Sequence, residues 1–242
     1  MFTNKGGTWT FAHKLVADDG AAGAFFGHAV AMSGTRALVG APYAEVDGTA
    51  ARGAVYMYDG ADGDWTQTAK VVADEGSPGD GFGYSLAASD TKLVVGAGAV
   101  NKGQGAVFVF ADDNGSWAPD ATLVADDGAM NADFGYAVNV LDDTIIVGAD
   151  RAKVGANLQQ GAAYIFVKTG GTWSQTQKLT ASDGQANEFY GAYVGLTTQT
   201  ALVGVPYATI DGNEVQGAAY FYARDEVPAD RIFASDFEST PL

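Results

Sequence analysis

Four acidic loop openings recur along the chain: Ala17-Asp18-Asp19-Gly20, Ala73-Asp74-Glu75-Gly76, Ala125-Asp126-Asp127-Gly128 and Ala181-Ser182-Asp183-Gly184. Carboxylates are hard oxygen ligands, so Asp18, Asp19, Asp74, Glu75, Asp126, Asp127 and Asp183 form a candidate calcium set. A further acid follows in three of the loops, as Asp80, Asp133 and Glu188. A tight turn accounts for the same residues, with Asp accepting backbone N–H bonds and Gly taking positive φ. The pattern falls once per repeat, where the chain must reverse, so the turn reading takes precedence. No cofactor is expected, and calcium is the one candidate these residues suit.

Catalytic chemistry has little to build on. The two histidines, His13 and His28, lie in one repeat and in no recognisable motif. No Gly-x-Ser-x-Gly elbow, phosphate-binding Gly-rich loop or Cys/His cluster is present. Carboxylate pairs abound, but they follow the repeat instead of marking one acid/base site. The expectation is a protein that is not an enzyme.

The formal net charge of −16, from 29 acidic and 13 basic residues, repels phosphate backbones and anionic membranes. Nucleic acid is therefore not an expected partner. There are no cysteines, the N-terminus lacks the apolar core of a signal peptide, and no window suits a membrane span.

The elements that carry these loops repeat. Tryptophan falls at 9, 65, 117 and 173, and the glycine of a Phe-Gly or Tyr-Gly step at 27, 83, 135 and 191, both spaced 56, 52 and 56. A Val-Gly glycine at 40, 96, 148 and 204 keeps the same rhythm. The Gly-Ala glycine at 53, 105, 161 and 217 shows that repeat two lost four residues between positions 96 and 105. Length changes of this kind belong in loops.

Each repeat reads as four short strands. In repeat two these are Gly83 to Ala88, Lys92 to Ala97, Gly105 to Phe110 and Trp117 to Val124. The second and third are apolar almost throughout, as expected of a sheet covered on both faces. A four-stranded meander repeating every 50 or so residues predicts an all-β fold, a β-propeller of four blades. The repeats span about 9–64, 65–116, 117–172 and 173–222 within a propeller over 1–222, followed by an acidic C-terminal tail, 223–242.

Phe26-Gly27, Val39-Gly40-Ala41-Pro42 and Gly53-Ala54-Val55-Tyr56 resemble the FG-GAP repeat of integrin α-subunit propellers. The likeness is closer to bacterial secreted FG-GAP repeat proteins and covers about Trp9 to Tyr222. Departures are Gly98 and Asp150 in place of Pro42, and Tyr190 in place of Phe. The resemblance implies a noncatalytic, extracellular or cell-surface adhesion-type domain that recognises a protein. The integrin calcium pattern, Asp-x-Asp-x-Asp-Gly between strands one and two, is not matched by Ser33-Gly34-Thr35, Ser89-Asp90-Thr91, Asp142-Asp143-Thr144 or Thr198-Gln199-Thr200.

The chain opens on a fourth-type strand, Trp9 to Val16, and its repeats end on a third-type strand, Gly217 to Tyr222. Pairing these two would close a ring of four blades. The alternative is a fragment of a larger, seven-bladed ring. In either case the long connections, after strands two and four, emerge on one face. That face is the candidate partner surface, with Tyr43, Glu45, Asp47, Asp150, Tyr207 and Asp211 as its residues. Two other functions remain open: a carbohydrate-binding lectin with the tryptophans as sugar platforms, and a calcium-stabilised structural module of a larger exported protein.

Overall fold

The structure, a computed structural model, describes residues 1–61, 64–113, 116–224 and 232–234. An N-terminal hairpin, β1 (Phe2–Lys5) and β2 (Thr8–Phe11), precedes four antiparallel four-stranded sheets. Blade one holds β3 (Ala29–Ser33), β4 (Arg36–Ala41), β5 (Ala54–Ala61) and β6 (Asp64–Val71). Blade two holds β7 (Ser85–Ala88), β8 (Lys92–Ala97), β9 (Ala106–Asp113) and β10 (Ser116–Leu123), with a helical turn α1 (Val100–Gly103) in its shortened loop. Blade three holds β11 (Phe134–Leu141), β12 (Thr144–Ala149), β13 (Ala162–Thr169) and β14 (Thr172–Leu179). Blade four holds β15 (Tyr193–Leu196), β16 (Thr200–Val205), β17 (Ala218–Arg224) and β18 (Ile232–Ala234).

Strands within each blade pair in chain order, so every blade is a meander. The expected start of the first strand at Gly83 moves to Ser85. Gly83 and Tyr84 both donate to the Gly96 carbonyl, and the regular ladder begins only at Ser85↔Gly96. Outer strands β6, β10 and β14 each slip by one residue at Thr68, Asp120 and Thr176. Such bulges bend an outer strand away from its partner.

Consecutive blades stack through their sheet faces. The first junction buries Leu38, Val55 and Met57 of blade one against Phe82, Leu93, Val95 and Phe110. The second buries Val94, Val107 and Val109 against Phe134, Val138, Val140 and Ile145. The third buries Ile146, Ala163 and Ile165 against Tyr190, Ala201, Val203 and Tyr222. Each fully buried Ile or Val contributes about 1.5–3 kcal/mol, so these junctions account for the apolar inner strands.

Glycine sets the spacing of the junctions. A Cβ on Gly40, Gly96 or Gly148 would overlap the carbonyl oxygen of Gly83, Gly135 or Gly191 in the next blade. One parallel bridge marks each junction as well: Gly53↔Phe82, Gly105↔Phe134 and Gly161↔Tyr190. The Phe-Gly step is thus the tooth by which one blade engages the blade before it.

The expected closure by the N-terminal strand is corrected by the topology. The β2 strand pairs with β1 across the Gly6-Gly7 turn, and the outer edge of β17 is taken by β18. A local hairpin closes with little loss of chain entropy, and β18 covers an edge that would otherwise be open. The 223–242 extension is therefore not wholly a tail, since Ile232–Ala234 completes blade four. The rest of that extension, from 225 to 231 and from 235 to 242, lies outside the described residues. Inner strands pack in sequence, β3 on β7, β7 on β11 and β11 on β15, and no comparable packing joins β15 to β3. Among the described residues no helix is long and apolar enough to cross a membrane.

Candidate functional site

The long connections gather on one face, and there the repeats place two side chains opposite each other. The first lies two residues before the Phe-Gly glycine, and the second follows the Ala-Pro position. In blade one these are Phe25 and Tyr43, packed edge to face with ring centroids 5.2 Å apart. In blade four they are Phe189 and Tyr207, again at 5.2 Å. In blade three they are Asp133 and Arg151, an ion pair at 3.4 Å. Blade two has only Gly81 and Ala99. The face thus carries two aromatic pairs with an ion pair between them.

The backbone under these pairs is unusual. Phe25, Asp133 and Phe189 have φ of 56°, 54° and 60°, and Gly81 has 71°. For a bulky L-residue this left-handed conformation costs roughly 1–2 kcal/mol. Only glycine takes it freely, yet phenylalanine occupies it twice. Retained strain of this kind is a pointer to function. Phe25, Tyr43 and Tyr207 are also exposed, at 61%, 43% and 49%. A row of rings runs from blade to blade just after the Phe-Gly steps, with His28 to Tyr84 at 4.4 Å and Tyr84 to Tyr136 at 5.4 Å.

The expected partner-face residues fall in different places. Tyr43 and Tyr207 belong to the aromatic pairs, and Glu45 is exposed nearby. Asp47 and Asp211 each precede a glycine in a tight reversal bridged by Val46↔Thr49 and Ile210↔Asn213. Positive φ at Asp47-Gly48 and Asp211-Gly212 makes these mirror-image hairpin turns. Asp47 is also 3.4 Å from Arg52. Asp150 is only 4% exposed, and its Oδ1 has no hydrogen-bond partner. Burial, reinforced by the charge of Asp133 and opposed by Arg151, pushes its carboxyl up to about 7.

The acidic loop openings are engaged by the blades they lead into. Asp19 accepts from Lys70 at 2.6 Å and from the Tyr56 hydroxyl, and these bonds hold its carboxyl below the ordinary range. Asp127 repeats this with Lys178 at 2.5 Å and Tyr164 at 3.0 Å. Burial opposes ionisation of Asp127, but those bonds outweigh it and the carboxyl is lowered. Asp183 accepts from Tyr220 at 2.6 Å. In repeat two Phe108 replaces the tyrosine, so Glu75 has no such hydroxyl to meet. The backbone N–H groups of Asp18 and Asp126 donate to Gln67 and Gln175, and Arg52 donates to the carbonyls of Ala73 and Asp74. Among the described residues no three His, Cys, Asp or Glu side chains come together to hold a metal ion.

The FG-GAP repeat model matches the chain four times, over residues 9–58, 65–110, 117–166 and 173–222. The chain belongs to the FG-GAP repeat family. No curated protein matches it. Each FG-GAP match is offset from a blade by one strand, opening on the strand before the blade and ending on the blade's third strand. Domains with FG-GAP repeats are typical of extracellular and surface proteins, and the family is generally noncatalytic. The aromatic and ionic pairs were missed by reading single positions. The signal was there in aligned repeats, where Phe25, Gly81, Asp133 and Phe189 change in step with Tyr43, Ala99, Arg151 and Tyr207.

Proposed function

We propose that this chain is a noncatalytic, adhesion-type FG-GAP domain, extracellular or at a cell surface, that recognises a protein partner through its long-loop face. The observation that carries this reading is the pairing of two phenylalanines on strained backbone, Phe25 and the half-buried Phe189, with the exposed Tyr43 and Tyr207, alongside the Asp133–Arg151 ion pair. Aromatic and arginine side chains dominate protein recognition because they bury large area with little entropy loss. The lectin reading has less support. Arg36 and Lys168 lie over the rings of Trp117 and Trp173, 5.7 Å and 5.8 Å from their centroids, on faces a sugar would need for stacking.

The test is retention of solubilised cell-surface proteins on the immobilised domain, compared with a Tyr43→Ser/Tyr207→Ser variant. A ligand held by the wild type and lost by the variant at unchanged melting temperature supports the reading. A ligand held equally by both, or glycan-array binding that quenches tryptophan fluorescence, overturns it.

A further inference from the structure

The three junctions inside the chain use two faces of a blade, and the blade-four face is left open. On blade one Leu15 and Ala17 pack over the buried Ala37, Val39, Tyr56 and Tyr58, and only the inner strand stays open. On blade four, Leu202 and Phe221 are 47% and 49% exposed. Their equivalents Leu38, Val94 and Ile146, and Met57, Val109 and Ile165, are 0–3% exposed. Ala219 is exposed where Val55, Val107 and Ala163 are buried. On blade one, Val30 and Met32 are 69% and 57% exposed, whereas Val138 and Val140 of blade three are 8%. Val30 and Met32 pair with Val39 and Ala37, so they lie on the side turned away from blade two.

The small contacts of a junction are left half-made at the same places. Gly204 and Gly217, equivalents of the glycines that meet the next blade, touch only their own blade. Gly27 is exposed where Gly83, Gly135 and Gly191 are buried, and Phe26 is only half-buried where Phe82 and Phe134 are fully so. Gln216 is exposed, whereas its equivalents Arg52 and Gln160 reach the carbonyls of Ala73 and Ala181. One departure stands out. Tyr193 replaces the small Ala29, Ser85 and Ala137 and lies over Gly204, so it must rotate aside for a blade to dock.

We propose that the chain associates head to tail, the blade-four face of one copy docking onto the blade-one face of a second copy. What covers such a face is answered three times within the chain, by the leading face and Phe-Gly step of another blade. Among the described residues nothing like the packing of β3 on β7 or β11 on β15 joins β15 to β3, so the two ends of one copy do not form a junction with each other. The contact is heterologous, so it closes a ring or extends according to the rotation across it.

The experiment is sedimentation equilibrium of the full chain from micromolar to millimolar concentration, with Val30→Asp and Phe221→Asp variants. Both sites are exposed, so the variants should melt with the wild type. The wild type is expected to exceed monomer mass and each variant to be monomeric. An equimolar mixture of the two variants should recover dimers, because one keeps the trailing face and the other the leading face. Wild type monomeric throughout, association surviving either substitution, or a mixture that stays monomeric each overturns the proposal.

Discussion

Asp150 lies buried beside Asp133, and burial followed by the repulsion of that carboxylate pushes Asp150 up to about 7. Burial raises Asp133 too, against the pull of Arg151. A carboxyl with a raised folded pKa binds its proton more tightly in the native state. Stability therefore falls as pH climbs from about 4 to about 7. At about 1.4 kcal/mol per unit, the loss approaches 4 kcal/mol at most. Asp150→Asn is expected to flatten this fall and to gain roughly 1–3 kcal/mol at pH 8. Urea melts of both proteins across that window measure it, and an unchanged slope in the variant would refute the assignment.

The Asp127 clamp has the opposite sign. Its lowered carboxyl contributes stability above its ordinary pKa, lost as pH falls through the depressed folded value. Asp127→Ala leaves the Tyr164 hydroxyl without its acceptor and Lys178 without its anion, costing about 1 kcal/mol at neutral pH. Glu75→Ala, in the repeat without the tyrosine, is expected to cost less than about 0.5 kcal/mol. Calcium would have to displace lysine from Asp19 and Asp127, so neither added calcium nor EDTA should move the melting temperature. A rise of several degrees with calcium would count against the clamp as the resting state.

Gly148 is packed against the Gly191 carbonyl of the next blade. Gly148→Ala forces a backbone shift across the third junction and is expected to cost at least 3 kcal/mol. Gly195→Ala, where a Cβ meets nothing within 4 Å, is the control and should stay within about 1 kcal/mol. Equal losses at the two sites in denaturant melts would show that close approach is not what Gly148 provides.

The blade pattern was legible because its physics is local and repeated. Val94 and Val95 are both buried because both faces of their sheet are covered, and an uninterrupted apolar run is how a sequence records that. Closure was not legible. Val30 and Val138 read alike in sequence, yet one is exposed and the other buried, because burial there depends on which blade stands beside them. The role of Ile232–Ala234 was hidden by its distance from the repeat rhythm. For the loops, acid-rich composition suggested ligands, but the partners Lys70, Tyr56, Lys178 and Tyr164 lie on other strands, and only the folded blade brings them together.

Phe25 offers the sharpest separation of stability from recognition. Its ring is 61% exposed and its φ is 56°, so it gains little from burial while its backbone is strained. Asparagine tolerates this conformation far better than phenylalanine. Phe25→Asn is therefore expected to hold or raise stability by up to about 1 kcal/mol, even though the edge contact with Tyr43 is lost. Phe189→Asn relieves the same strain at φ of 60° but also loses a half-buried ring, so its net change should be smaller. A residue retained for folding would give the reverse result, a clear loss in calorimetric melting. If instead the Phe25 variant melts at or above the wild-type temperature and no longer retains the surface ligand, the strain is maintained for binding.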